Sequence, residues 1–137
     1  MLLSLCAQLG IQGNVKFLGF LDHPTLARYY AACDVFVLPS LVETQGLVAM
    51  EAMRFSRPVI VTKAIVSAQE LVEDGVNGFI VDPDSVPDLT HRLMTLAASP
   101  ALRQSMGAAS HVRAEAYRPE LVVAATESAY REVLAPA

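Results

Sequence analysis

The chain has 137 residues, 53% of them hydrophobic, and a formal charge of -4. That is the size of one ordinary domain with enough apolar material for a real core. The negative balance argues against an electrostatic hold on nucleic acid or anionic lipid, whose fields it would not neutralise. Cys6 and Cys33 lack metal-ligand spacing and sit among apolar neighbours, which fits small buried hydrophobes in a reducing compartment. The opening MLLSLCAQLG is too short to span a bilayer and carries no basic leader, so the expectation is a cytoplasmic protein without a transmembrane segment.

Leu2, Leu3, Leu5, Cys6 and Leu9 recur at helical spacing and Gly10 follows where a cap would fall, predicting an amphipathic helix. Asn14 to Gly19, with Val15, Phe17 and Leu18, has the composition of a short strand. Asp22 or His23 then caps a helix that opens on Pro24, with Leu26, Tyr29, Tyr30 and Cys33 on its buried face. Val35 to Leu38 is a run of four apolar residues, the mark of a parallel strand covered on both faces. Pro39 ends it, a loop follows, and Gly46 to Phe55 forms a helix before the next apolar run, Pro58 to Thr62. That order is a βαβ unit. Glu70 to Glu73 makes a short turn of helix, and Asn77-Gly78 introduces a last strand, Phe79 to Val81. Helices over 86–98, 100–117 and 120–134 complete the chain, with Pro100 and Pro119 at helix starts. The inventory predicts a single domain, 1–137, with a doubly wound parallel α/β sheet and a helical C-terminal tail.

Ligands of open parallel sheets bind at the carboxyl ends of the strands. This directs attention to the loop Pro39 to Gln45, where the N–H groups of Thr44, Gln45, Gly46 and Leu47 could receive an anion at the positive end of the following helix. Glu51 is the anomaly, a carboxylate among Val48, Ala49, Met50, Ala52 and Met53. Buried and unpaired it would cost several kcal/mol. Either it is solvated or paired with Arg54 or Arg57, or it reaches a polar cavity where vicinal hydroxyls such as those of a ribose satisfy its oxygens. Glu43 has similar alternatives, a solvated loop acid or a cap for the helix.

The segments N-V-K-F-L-G, Y-Y-A-A-C-D-V-F-V-L-P-S, E-T-Q-G-L-V-A-M-E-A-M, R-P-V-I-V-T and Q-E-L-V-E-D-G-V-N-G-F-I-V, in this order, resemble the donor-binding C-terminal domain of group 1 glycosyltransferases. These are GT-B enzymes that retain anomeric configuration, with two glutamates separated by seven residues, as Glu43 and Glu51 are. The resemblance implies a Rossmann-like domain that binds a nucleotide-diphosphate sugar, with no metal or other cofactor. It places Glu43 beside the donor sugar as the catalytic-site acid, and Thr44, Gln45, Gly46 and Leu47 at the sugar and diphosphate. Glu51 falls on the ribose hydroxyls, and Gly19, Phe20 and Leu21 along the base. The chain departs from the family at Gln45, where an aromatic is usual, at the Phe55-Ser56-Arg57-Pro58 step, and at Val66-Ser67 in place of paired glycines.

The resemblance also implies a chain truncated on its N-terminal side, without the acceptor domain and without the first two strands of the donor domain, which carry the cationic clamp for the diphosphate. Lys63, Arg54 and Arg57 match none of those cationic positions. In the usual 3-2-1-4-5-6 sheet order the absent strands are central, so Val15 to Leu18 loses its neighbours. The expectation is an enzyme by family, inactive without its missing half, which pairs with an N-terminal domain or with a second copy by dimerisation or strand exchange. The alternative is a non-catalytic relative that serves as a nucleotide-binding or assembly module. A receiver or flavodoxin type of domain is a third reading, disfavoured because its aspartate cluster or phosphate loop is absent.

Overall fold

A computed structural model describes residues 1–134. Three strands, β1 (Phe36–Leu38), β2 (Val59–Thr62) and β3 (Gly78–Val81), form a parallel sheet in the order β1-β2-β3. Seven α-helices accompany them among the described residues. α1 (Leu2–Gln8) and α2 (His23–Ala32) precede the sheet, while α3 (Leu47–Arg54) and α4 (Ala68–Leu71) make the two crossovers. α5 (Val86–Ala98), α6 (Pro100–Ala114) and α7 (Pro119–Leu134) form the tail, with a 3-10 turn at Glu115–Tyr117 between the last two.

The alternation of the strands divides the core into two layers. Val59 and Val61, with Phe36, Leu38 and Ile80, pack against Tyr30, Ala49, Ala52, Met53, Leu71 and Ala114. Ile60, Phe79 and Val81, with Val37, pack against Leu96 and Met106. Every residue of β2 is buried, as its unbroken apolar run requires of a strand covered on both faces. Helix α6 serves both layers, Met106 in one and Ala114 in the other.

The helix starts follow from their caps. Asp22 accepts from the Thr25 N–H at 2.8 Å and Pro24 sits in the first turn of α2. Ser85 and Ser99 accept from Asp88 and Leu102 in the same way at the starts of α5 and α6. Arg57 closes the other end of α2, donating to the carbonyls of Ala31 and Cys33 at 2.7 and 2.9 Å.

The strand expected at Asn14 to Gly19 is not formed, so the sheet has three strands rather than four. A strand needs a neighbour to complete its ladder, and no described residue supplies one to Val15–Leu18. In the 3-2-1-4-5-6 order two strands would stand between that segment and β1. It instead runs as irregular chain, and β1 is left as an open edge. The same lack of partners leaves Leu2, Leu3, Leu5, Leu9, Val15 and Phe17 exposed, so α1 buries only Cys6. Helix α7 buries none of its residues. No helix among the described residues is long and apolar enough to cross a membrane.

Candidate functional site

The loop from the end of β1 to α3 is held by the loop that leaves β2. The N–H groups of Val66 and Ser67 donate to the carbonyls of Glu43 and Thr44 at 3.1 and 3.2 Å. Ser67 Oγ donates to the Gln45 carbonyl at 2.9 Å, and the Thr62 hydroxyl donates to the Ser40 carbonyl. The end of β2 and the Val66-Ser67 segment that leaves it thus brace the loop that leaves β1.

Gly46 caps α3 in the left-handed region, with φ 60° and ψ 42°, and no side chain occupies the cap. A Cβ there would be strained and would approach Leu71 Cδ1 to 3.2 Å. Among the described residues the Gly46 and Leu47 N–H groups have no hydrogen-bond acceptor, so the positive end of α3 is open. The Thr44 and Gln45 N–H groups are not: Glu43 Oε1 accepts from both, at 3.0 and 3.4 Å. Of the four amides expected to meet an anion, two are free and two are held by the adjacent carboxylate.

Glu51 stands on α3 half-buried and without a cationic partner among the described residues. Arg57, which sequence offered as a partner, is committed to the carbonyls of α2. Tyr30 takes that place instead, donating from its hydroxyl to Glu51 Oε2 at 2.9 Å. Burial first, and then the Glu51 carboxylate, push the Tyr30 phenol above the usual tyrosine range, so it remains a donor at neutral pH. Glu51 opens on a cleft of about 270 Å³ lined also by His23, Leu26, Ala27, Tyr30, Arg54 and Phe55.

Gln45 and Leu47 open on a different cleft, of about 380 Å³, with Met50, Ser67, Glu70, Tyr117 and Val122. Of the expected site residues, Glu43 to Leu47 and Glu51 share one loop and helix, with Gln45 and Leu47 on one cleft and Glu51 on the other, while Gly19 to Leu21 lie on a separate segment and line neither. Gly19, Phe20 and Leu21 lie just before the Asp22 cap of α2, and so close in sequence to His23 in the Glu51 cleft. Gly19 has φ 64°, Phe20 is almost fully exposed and Leu21 half-buried. Lys63 pairs with Asp82 at the surface. Tyr30 was read from sequence only as a core residue. The available signal was its hydroxyl, since a buried tyrosine O–H needs an acceptor.

A parallel α/β sheet with an open helix terminus after β1, and on the same helix a half-buried carboxylate held by Tyr30 beside a cleft, is the class of fold that seats ligands at its strand ends. The profile of the family "Glycosyl transferases group 1" matches residues 1–113. A D-inositol 3-phosphate glycosyltransferase of Kribbella flavida is 35% identical over 93% of this chain and 30% of its own length. The solved sucrose-phosphate synthase of Thermosynechococcus elongatus superposes with a TM-score of 0.88 at 32% identity, over 96% of this chain and 33% of that one. HepE of Anabaena, solved in complex with UDP, gives a TM-score of 0.81 at 31% identity, over 96% of this chain and 35% of that one.

The chain belongs to the group 1 glycosyltransferases, and its fold is that of these GT-B enzymes. It spans about a third of the length of the relatives it matches.

Proposed function

We propose that this chain is the donor-binding part of a retaining glycosyltransferase and binds a nucleotide-diphosphate sugar. The observation that carries the reading is Glu51, a half-buried carboxylate with one oxygen held by Tyr30 and the other free of hydrogen bonds among the described residues, beside an open cleft. Vicinal ribose hydroxyls are donors of the right number and spacing for it. The Gly46 and Leu47 amides then meet the diphosphate, with Thr44 and Gln45 joining as Glu43 turns toward the sugar. Gly19, Phe20 and Leu21 follow the base. Similarity to HepE, which was solved with UDP, supports the same assignment. Transfer itself needs an acceptor site and a cationic clamp for the diphosphate, neither of which these residues provide.

The test is thermal unfolding with UDP-, GDP- and ADP-glucose. A ligand at ten times its dissociation constant stabilises by about 1.4 kcal/mol, a shift of several degrees at this size. One of the three is expected to produce it, and Glu51→Ala to remove it, with the unliganded melting temperature lowered by a few degrees because the Tyr30 hydroxyl loses its acceptor. Absence of any shift at millimolar nucleotide sugar would sink the proposal.

The open edge of β1 favours a second property, assembly. An apolar edge strand with unpaired ladder groups is a template for another strand. The chain is expected to associate with itself as its concentration rises, or with a chain that supplies the missing neighbour. Analytical ultracentrifugation across a hundredfold concentration range checks this, and a single monomeric species throughout contradicts it.

A further inference from the structure

We infer that Tyr30 is the positioning residue of the ribose carboxylate: its hydroxyl fixes Glu51 Oε2, so that Oε1 is aimed into the cleft to accept from a nucleotide's vicinal hydroxyls. This rests on the ribose reading of Glu51 and names the group on which that reading depends geometrically.

A glutamate on a helix surface samples several rotamers, and ordering one costs side-chain entropy. If that ordering happens on binding, affinity falls; if the fold has already imposed it, the ligand meets a prepared acceptor. Tyr30 imposes it. The tyrosine is only 6% exposed. Its ring meets Phe36 edge-on at 5.7 Å and Phe55 at 5.9 Å, one neighbour from β1 and the other from the end of α3. A ring so held cannot carry its hydroxyl elsewhere, and Glu51 is its only acceptor among the described residues. Releasing Glu51 would leave the phenol hydroxyl without an acceptor, which opposes the release.

The geometry divides the labour between the two oxygens. Oε2 is spent on the protein, and Oε1 has no hydrogen-bond partner among the described residues. The arrangement joins residues that are 21 apart in sequence and on different helices, so α2 and α3 must be docked before the acceptor exists. Because Tyr30 sits on α2, the helix that follows Gly19 to Leu21, the same docking ties the carboxylate to the segment assigned to the base.

Tyr30→Phe removes the hydroxyl and keeps the ring. UDP, GDP and ADP are titrated calorimetrically into the whole chain, each beside its 2′-deoxy counterpart, and the Glu51 carboxyl carbon is followed by NMR after labelling with carbon-13 glutamate. For the nucleotide that binds, Tyr30→Phe is expected to lower affinity on the order of tenfold, the worth of a hydrogen bond to a charged group. The 2′-deoxy counterpart is expected to lose much less, because it lacks one of the hydroxyls that Oε1 serves. In the free protein the Glu51 carboxyl resonance is expected to move. Equal losses for both nucleotides, or an unmoved resonance in a folded variant, overturn the inference and leave the ribose reading standing. No binding of any of the three to wild type overturns the ribose reading, and the inference with it.

Discussion

Gly107→Ala is expected to lower the melting temperature by roughly 5–10 °C, a net loss of about 2 kcal/mol in a domain of this size. Two effects oppose each other. Alanine in place of glycine inside a helix is worth about 1 kcal/mol in its favour. Against that, a Cβ on Gly107 would penetrate the carbonyl oxygen and carbon of Ser56, both backbone atoms that no rotamer change can clear. Overpacking of this kind costs about 3 kcal/mol, and here the displaced segment is the turn between α3 and β2. Ser56 itself holds φ 57°, so that turn has little freedom to yield. Gly13, with no atom within 4 Å of a built Cβ, is the control, and Gly13→Ala should melt with wild type. Identical melting of both variants would show that α6 does not press on this turn.

Asn77→Leu is expected to cost about 3 kcal/mol, by stranding two backbone groups at once. Asn77 is 1% exposed. Its side-chain carbonyl accepts from the Glu73 N–H at 2.8 Å, and its amide donates to the Leu71 carbonyl at 3.1 Å, closing the chain after α4. Its own backbone carbonyl accepts from Ser110 Oγ at 2.8 Å, which pins α6 to the same point. Leucine has similar volume and no polar atoms, so the loss measures unsatisfied hydrogen bonds rather than a cavity. Chemical denaturation of the two proteins checks it, and a difference below about 1 kcal/mol would mean that water replaces the asparagine.

What was legible in the residues divides along a physical line. The apolar runs at Val35–Leu38, Pro58–Thr62 and Phe79–Val81 announced strands, and each found its ladder because β2 stands between the other two. Val15 to Leu18 has as good a composition, but a strand is a property of two segments and that run has no second one here. Composition reports local suitability; pairing is a fact of the whole sheet. The helix caps were local, and Asp22 behaves as its sequence position requires.

The site was legible where it is continuous and hidden where it is not. Glu43 to Leu47 could be placed at a helix start from spacing alone. That Glu51 bonds to Tyr30 rather than to Arg57 depends on how α2 packs against α3, which periodicity does not encode. The partition of Gln45 and Leu47 from Glu51 into two clefts is likewise set by packing, with Tyr117 and Val122 of the tail completing one of them.

The hydrogen bonds from Thr44 and Gln45 to Glu43 Oε1 place a carboxylate on two of the amides that the proposed function gives to the diphosphate, so under that proposal the loop competes with its own ligand. An anion that seeks those two amides must first exchange with a tethered carboxylate present at high effective concentration. The penalty has a selective side. Under the proposed function a monoanion would gain little by displacing another, whereas a diphosphate would reach both the occupied amides and the free ones at Gly46 and Leu47. The resting loop would then favour a longer, more highly charged anion over a simple one, and displacement of Glu43 would free its carboxylate as the phosphates arrive.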